Sequence, residues 1–297
     1  MSVTPTFRSA IVATTAIAAL TLAGCSSSSD DASATPSASD APSATASASA
    51  AASATLATIT DGKLTIATGE PAYEPWMVDD DPTNAEGFES AVAYAVAAEL
   101  GYAPADVVWV RSTFESAIAP GPKDWDLNVQ QFSVTEDRES AVDFSSPYYT
   151  TTQAILTTTD SPAASVTSLE DLSHLTVGVP SGTTSYTVAA EALGADNLAV
   201  FNSAEDTVLA LNSGQIDAFV TDLPTALYLS AVEFDNGTIV GQFESSEGGD
   251  EFAFVLPNES ANTTAVTAAV DALREDGTLD ALEAQWLSSA ISVPVLN

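Results

Sequence analysis

One polar segment of the chain carries side chains that could hold an organic anion. Arg138 closes the run Ser133–Arg138, and a planar guanidinium can hold a carboxylate through two parallel charge-assisted hydrogen bonds. Thr183 and Thr184 precede a predicted helix, whose free N–H groups and dipole also favour an anion. Each feature has an ordinary alternative, because Arg138 could pair with a neighbouring glutamate at the surface and either threonine could simply cap the helix. From these residues alone surface pairing and helix capping are favoured, and anion binding is the alternative.

Composition excludes several other kinds of function. The 297 residues include 6 Lys and Arg against 41 Asp and Glu, which gives a formal net charge of −35. Nucleic-acid binding needs clustered cations that displace counterions from phosphates, and adsorption to an anionic membrane surface is opposed for the same reason. Cys25 is the only cysteine and His174 the only histidine. No intrachain disulfide or multi-thiolate metal site can therefore form, and we expect neither a metal nor a cofactor.

The N-terminus has the pattern of an exported lipoprotein. Arg8 precedes an apolar run over residues 10–23. This run is too short for a transmembrane helix, which needs about 20 apolar residues, but its length suits a secretion signal. The next residues, Leu22-Ala23-Gly24-Cys25, resemble a bacterial lipobox, in which the signal is cut before a lipidated cysteine. The alternative is an ordinary signal peptide that happens to contain a cysteine. We expect a lipoprotein signal peptide over 1–24 and lipidation of Cys25 by diacylglycerol and palmitate, which anchors the protein to the outer face of the cytoplasmic membrane.

A tether is expected to follow the anchor. Residues 25–60 are almost entirely Ser, Ala, Thr, Asp and Pro, with no aromatic residue. Such a segment cannot bury enough apolar area to offset the entropy of ordering it, so it behaves as a flexible coil that spans on the order of 30 Å. The folded part is therefore expected to begin near Gly62.

Beyond the tether, strand patterns alternate with helix patterns. Phe88, Val92, Val96 and Leu100 recur four residues apart and form an apolar helix stripe that stops at Gly101. Alternating strands and helices favour an α/β architecture with parallel sheets. The predicted strands are 64–67, 107–110, 127–132, 175–179, 216–220 and 252–256. The predicted helices are 88–100, 114–118, 185–193, 265–274 and 279–287.

A series of motifs runs along this folded part. The most specific is Arg138–Tyr148, which contains Val142-Asp143-Phe144-Ser145-Ser146-Pro147-Tyr148. The others are Tyr73–Trp76, Gly87–Glu89, Ser133–Arg138, Leu169–Leu172, Gly178–Thr184, Ser213–Ala218, Asp276–Leu279 and Trp286. Together they resemble the solute-binding proteins of polar amino-acid ABC transporters, the family 3 type of extracellular solute-binding lipoprotein. The resemblance covers essentially all of residues 62–290.

This resemblance implies a two-lobed α/β fold of the periplasmic-binding-protein type, with the ligand in a cleft between the lobes. Lobe one would hold residues 62–153 plus 250–297, and lobe two residues 154–249. The chain would cross between them near Gln153–Ile155 and near Asp250–Phe252. Hinges of this kind let two lobes close around a ligand.

The resemblance also implies which residues bind the backbone of an amino acid. Arg138 matches the family arginine that clamps the ligand's α-carboxylate. Ser133 and Thr184 match positions that add donors to the same carboxylate, with Thr183 beside them at the helix start. Asp222 matches the aspartate that accepts from the ligand's α-ammonium.

Other matched positions concern the ligand's side chain. Tyr73 and Phe114 match aromatic residues that cover its aliphatic stem, and Trp76 is expected either in the same pocket or in the core. Glu70 stands where many members place an acid, which favours a cationic or polar neutral side chain over an acidic one. Gln131 replaces the small residue that is usual in the family and could touch the ligand or shrink the cleft.

Three further polar residues are expected outside the site. Arg111 and Lys123 are interpreted as loop residues, so that no second cation holds an additional ligand carboxylate. His174 is interpreted as a solvated loop residue.

The function that the resemblance implies is capture of an amino acid by a monomeric, lipid-anchored binding protein that delivers it to ABC permease subunits. Two alternatives stay open. One is a dehydratase on the same fold, in which an acid such as Glu70 is catalytic. The other is a sensory protein that signals to a membrane partner without transport.

Overall fold

The computed structural model of the protein describes residues 56–244, 249–287 and 293–297. Cys25, the predicted signal peptide and the tether up to residue 55 lie outside the described residues. None of the helices in the described ranges is both long and apolar enough to cross a membrane. The strands are β1 (Leu64–Thr68), β2 (Val107–Arg111), β3 (Leu127–Asn128), β4 (Val142–Phe144), β5 (Tyr149–Thr151), β6 (Gln153–Thr158), β7 (Val177–Pro180), β8 (Leu198–Phe201), β9 (Ala218–Asp222), β10 (Gly237–Gln242), β11 (Asp250–Phe252) and β12 (Val255–Pro257). The helices are α1 (Phe88–Glu99), α2 (Phe114–Ile118), α3 (Glu136–Glu139), α4 (Leu169–Leu172), α5 (Thr184–Leu193), α6 (Ala204–Asn212), α7 (Leu223–Tyr228), α8 (Thr263–Glu275) and α9 (Thr278–Trp286).

Two five-stranded sheets form the two lobes of this α/β fold. The first has the strand order β2-β1-β3-β12-β4, and the second has the order β10-β6-β9-β7-β8. Both sheets are mixed, whereas the sequence predicted parallel sheets. β12 runs antiparallel to β3 and β4, and β6 runs antiparallel to β9 and β10. The direction reverses because β6 and β12 are the strands that enter each lobe after a crossing from the other.

Each lobe has its own apolar core. In the first lobe, α1, α8 and α9 cover the sheet, and the predicted stripe of α1 is buried with Phe88 at its start. Trp76 packs edge-to-face on Phe88 and Phe252, with ring centroids 6.1 and 5.7 Å apart. In the second lobe, Val177, Val179 and Val220 of the central strands pack against α5. These separate cores make each lobe a stable platform for residues at its cleft edge.

Most predicted elements agree with the structure, and two strands differ. The predicted strand 127–132 ends at Asn128, because Gln131 has the left-handed φ of 48° and donates its N–H to Glu89 Oε1 at 2.7 Å. A non-glycine residue in that region cannot continue a strand. The predicted strand 252–256 is divided into β11 and β12 at Ala253, whose N–H donates instead to the carbonyl of Phe132 at 3.0 Å.

The described ends of the chain also depart from the expected boundaries. The folded part begins before Gly62: Leu56 is buried in the first core, and Ala57 exchanges two hydrogen bonds of 2.9 Å with the amide of Asn262. At the other end, Leu296 is buried in the core of the second lobe. Its N–H donates to the carbonyl of Gln242 at 2.9 Å. Residues 293–297, which the sequence assigned to lobe one, therefore pack on lobe two.

A short two-stranded ribbon lies where the chain crosses between the lobes. β5 pairs antiparallel with β11, with Asp250 opposite Thr151 and Phe252 opposite Tyr149. The first crossing stands slightly before the predicted Gln153–Ile155, because Gln153 already begins β6 of the second sheet. The second crossing lies between the end of β10 at Gln242 and the start of β12 at Val255, and β11, the predicted Asp250–Phe252, is within that stretch.

Candidate functional site

A cavity of about 590 Å³ lies between the two lobes. The predicted site residues that line it are Glu70, Tyr73, Trp76, Phe114, Gln131, Arg138, Thr183, Thr184 and Asp222. Ser133 does not line the cavity, but its hydroxyl lies 3.2 Å from that of Thr184, which does. The edges of the two sheets thus bring together residues that are far apart in sequence.

Arg138 reaches the cleft from α3, the single turn within the polar segment. Its guanidinium donates to the carbonyl of Ser133 at 2.7 Å and, across the cleft, to the carbonyl of Gly182 at 2.9 Å. It also lies over the ring of Phe114, 5.2 Å from the centroid. Arg138 is 8% exposed and, among the described residues, forms no ion pair. Surface pairing with its glutamate neighbours is therefore not observed, and a buried positive charge faces the cavity.

The carboxylates opposite Arg138 are joined through an amide. Asp222 ends β9, and its Oδ1 accepts from Gln153 Nε2 at 2.7 Å. The same nitrogen donates to Asp250 Oδ2, and Gln153 Oε1 accepts from the Ser185 hydroxyl at 2.7 Å. Burial, and then the negative charge of Asp250, raise the pKa of Asp222 to about 8. A cation placed beside Asp222 would favour its ionised form and so oppose that shift.

The start of α5 supplies donors near Arg138. Thr183 is the N-cap: its Oγ1 accepts from the N–H of Tyr186 at 3.2 Å and donates to the carbonyl of Pro180 at 2.9 Å. Its hydroxyl is thereby occupied by hydrogen bonds within the protein, which agrees with the helix-capping alternative. Thr184 keeps its hydroxyl in the cavity beside Ser133. Of the two threonines, Thr184 is thus the one whose hydroxyl can serve a ligand.

Aromatic residues form one wall of the cavity. Phe114 stacks on Phe132 with ring centroids 4.8 Å apart, which fixes it under Arg138. Burial, with help from the charge of Glu205, raises the pKa of Tyr73 to about 12 and keeps its phenol neutral. Trp76 is only 2% exposed and belongs to the core, yet it lines the cavity and donates Nε1–H across the cleft to Thr225 Oγ1 at 2.8 Å. Trp76 therefore belongs to the core and lines the cavity, which are the two environments expected for it.

Gln131 is held from behind by a buried acid. Its backbone and side-chain amides both donate to Glu89, and Tyr148 donates its hydroxyl to the same carboxylate. Glu89 is 0% exposed, and burial raises its pKa to about 7. The side-chain N–H of Gln131 is therefore committed to Glu89, although the residue lines the cavity.

Two exposed carboxylates also line the cavity. Glu70 comes from the first lobe and Glu205 from the second; both are exposed and line the cavity. Arg111 also lines it, contrary to its interpretation as a loop residue, because it ends β2. Its guanidinium is engaged by Asp80 at 2.8 Å and by the carbonyl of Gly69. Arg111 is thus neutralised within the protein.

Lys123 and His174 lie away from the cavity as expected. Lys123 donates to the carbonyl of Ser116 at 2.7 Å, and His174 is exposed in a turn. In the described ranges, no group of His, Cys, Asp and Glu side chains could hold a metal ion.

Comparison with known proteins agrees with this architecture. Residues 64–289 match the family of bacterial extracellular solute-binding proteins, family 3. The chain belongs to this family. Among its relatives is a probable histidine-binding protein of Campylobacter jejuni, 28% identical over 74% of this chain and 83% of the relative.

Solved structures of the family are similar over the same region. An ancestral arginine-binding protein bound to glutamine is 28% identical and has a TM-score of 0.65, covering 76% of this chain and 98% of that one. An ancestral amino-acid-binding protein described as a precursor of cyclohexadienyl dehydratase is 29% identical with a TM-score of 0.63, covering 76% and 96%. These relatives are thus named as binding proteins, and one of them is described as the precursor of an enzyme.

Sequence reasoning missed several cavity residues. Glu205, Thr225 and Gln130 line the cavity, and Gln153 donates to both Asp222 and Asp250. Gln130 packs so closely on Gly69 that a Cβ there would lie 2.4 Å from its Nε2. The sequence places Gln153 and Asp250 at the two expected crossings between the lobes but gives no sign of the polar contact between them.

Proposed function

We propose that the protein captures a free amino acid in this cleft for an ABC importer, by closure of the two lobes. The observation that carries the proposal is the separation of charge within one cavity. Arg138 presents a buried guanidinium without a carboxylate within ion-pair distance, and Asp222 presents a carboxyl whose pKa is raised by burial and then by the charge of Asp250. An α-carboxylate complements the buried charge of Arg138, and an α-ammonium favours the ionised form of Asp222.

The roles of the other residues follow from their positions. Thr184, supported by Ser133, would donate to the α-carboxylate beside Arg138. Phe114, Tyr73 and Trp76 would cover the aliphatic stem. A buried apolar wall with a few convergent polar groups is the usual composition of a small-ligand site.

The side chain of the ligand would be cationic or polar and neutral. The carboxylates of Glu70 and Glu205 line the cavity, and Arg111 is already paired with Asp80. An acidic side chain would thus meet like charges without a free cation. Relatives named for histidine and arginine support this choice.

Closure is supported by contacts that cross the cleft. Trp76 donates to Thr225, and Arg138 donates to the carbonyl of Gly182. Both would break if the lobes separated about the ribbon of β5 and β11. The lobes therefore have direct polar contacts that can favour a closed form for permease subunits to recognise.

Lipid anchoring through Cys25 and a monomeric state complete the proposal. They are supported by the lipobox in the sequence and by membership of an extracellular binding-protein family. A dehydratase is the second candidate, since one similar structure is described as a precursor of such an enzyme. The candidate acid Glu70 is exposed, whereas catalytic acids and bases usually act in sites from which water is excluded.

Titration calorimetry against the common amino acids tests the proposal, preceded by a thermal-shift screen. We expect arginine, lysine, histidine or glutamine to bind, and glutamate and aspartate to bind weakly or not at all. Tight binding of glutamate without binding of any cationic or amide ligand would overturn the side-chain assignment. Absence of binding by every amino acid, with turnover of a prephenate-like acid, would favour the enzyme instead.

A further inference from the structure

The cleft contains two acidic side chains that share one hydrogen-bond donor group. Gln153 is 3% exposed at the start of β6, and its Nε2 donates one N–H to Asp222 and the other to Asp250. Because one nitrogen serves both, the two carboxyl oxygens lie within about 5 Å of one another. The orientation of the amide is fixed from the other side, since its Oε1 accepts from Ser185.

The surroundings of this cluster are mostly negative or neutral. Among the described residues, the titratable groups that face Asp222 are Asp250 on β11, Glu89 on α1, Arg138 on α3, Tyr148 before β5 and Tyr149 on β5. Burial raises the pKa of both tyrosines, so they stay neutral. Arg138 is the only positive group among them, and its described hydrogen bonds go to backbone carbonyls.

Two carboxylates this close in a poorly hydrated site do not both ionise readily, so one of them keeps its proton to a higher pH. That group is Asp222, because burial and then the charge of Asp250 raise its pKa to about 8. Both side chains remain partly exposed, so a proton on Asp222 can exchange with solvent. Near neutral pH Asp222 therefore carries a proton.

We propose that capture of the amino acid releases a proton from the cluster of Asp222, Gln153 and Asp250, in which Gln153 and Asp250 act as positioning residues behind Asp222. This inference rests on the proposed function, in which Asp222 receives the α-ammonium. The ammonium keeps its three protons. The carboxyl proton of Asp222 goes to solvent, so that a carboxylate then faces the ammonium. Gln153 holds that carboxylate in place, and the charge of Asp250 keeps the proton on Asp222 until the ammonium arrives.

The sign of the pH dependence follows from this exchange. Binding lowers the pKa of Asp222 from the value of about 8. The affinity therefore rises with pH up to that value and falls below it, by at most about tenfold per pH unit. Glu89 titrates in a similar range, but its carboxylate is held by Tyr148 and Gln131 rather than by this cluster.

Calorimetry of the full-length protein at pH 6 to 9, in buffers of different ionisation enthalpy, measures the released protons directly. L-glutamine and L-arginine serve as probes, since neither side chain titrates in this range. At pH 7 we expect close to one proton to be released for each ligand bound. Asp250→Asn keeps an acceptor for Gln153 but removes the neighbouring charge, and it should at least halve the release and flatten the pH profile. Glu251→Gln changes the charge equally at the next, exposed position and should leave the profile unchanged.

The possible results separate this inference from the proposed function. Binding without proton release, or an Asp250→Asn profile identical to that of the wild type, would overturn the inference and leave amino-acid capture standing. Absence of binding at every pH would overturn both. If Asp250→Asn does not fold, carbon-13 NMR of labelled aspartates in the ligand-free wild type decides the question. One aspartate should titrate above pH 7, and titration of all of them below pH 5 would refute the proton on Asp222.

Discussion

Replacing Thr225 with valine is expected to weaken amino-acid binding through the closed form rather than through a ligand contact. Thr225 lies on α7 of the second lobe, and its Oγ1 accepts the indole N–H of Trp76 from the first lobe at 2.8 Å. Trp76 is 2% exposed, so water has little access to that nitrogen when the lobes are together. Valine has nearly the shape of threonine but cannot accept the hydrogen bond.

The magnitude follows from the donor that this change leaves unpaired. A buried donor without a partner costs about 1–3 kcal/mol. In an open form the indole N–H would be hydrated, so the cost falls on the closed form alone. Because about 1.4 kcal/mol corresponds to a tenfold change in an equilibrium constant, the dissociation constant should rise roughly fivefold to one hundred-fold. The melting temperature of the ligand-free protein should change little.

Titration calorimetry with the ligand found by screening, together with small-angle scattering with and without it, measures both parts of this prediction. Thr225→Ser is the matched control, because it retains the hydroxyl and should bind within a few-fold of the wild type. A valine variant with wild-type affinity would refute the reasoning. So would a serine variant as weak as valine, which would mean that the methyl group rather than the hydrogen bond matters.

The remaining predictions concern single side chains. Arg138→Ala should weaken binding by about 2–5 kcal/mol, roughly thirtyfold to several thousandfold, in calorimetry of a folded protein, whereas Arg274→Ala at the exposed ion pair should have no effect. Asp222→Asn should make the free energy of unfolding less dependent on pH. The raised pKa of about 8 means that the wild type loses stability as the pH rises from about 4 to 8, by about 1.4 kcal/mol per pH unit at most. The variant should therefore melt at a higher temperature than the wild type at pH 8 in calorimetric scans. Glu70→Gln should weaken arginine binding by about fivefold at most, since Glu70 is exposed, and leave glutamine binding unchanged; an equal loss for both would place Glu70 outside the side-chain subsite. Cys25→Ser should release the protein from the membrane fraction or stall its processing, and normal cleavage with full retention would contradict the lipobox.

The elements that local patterns could predict are those stabilised within themselves. The apolar stripe of α1 and its stop at Gly101 follow from a four-residue spacing, and the observed helix is Phe88–Glu99. The predicted helix 114–118 is observed with the same bounds, capped by Thr113, whose side chain accepts from the N–H of Ser116. In each case the signal lies within a few residues of the feature it predicts.

Features that depend on distant partners had no such signal. The early end of β3 depends on Glu89, which lies 42 residues from Gln131 in sequence and becomes its acceptor only when α1 packs on the sheet. Leu56 looks like part of the tether until Asn262 pairs with the neighbouring backbone. Likewise, Gln153 and Asp250 are 97 residues apart. Their contact exists only because both crossing segments meet in one ribbon.

The acidic composition gives the position of Arg138 its meaning. In a chain with 41 acids and 6 basic residues, a cation normally finds a carboxylate, as Lys63, Arg111 and Arg274 do. Arg138 has glutamates on both sides in its own helix turn, yet its guanidinium is directed away from them by two carbonyls and the ring of Phe114. Among the described residues no carboxylate thus lies within ion-pair distance of this buried cation. A ligand that supplies a carboxylate beside Arg138 and an ammonium beside Asp222 gives both side chains a partner of opposite charge. A simple anion or a simple cation gives a partner to only one of them.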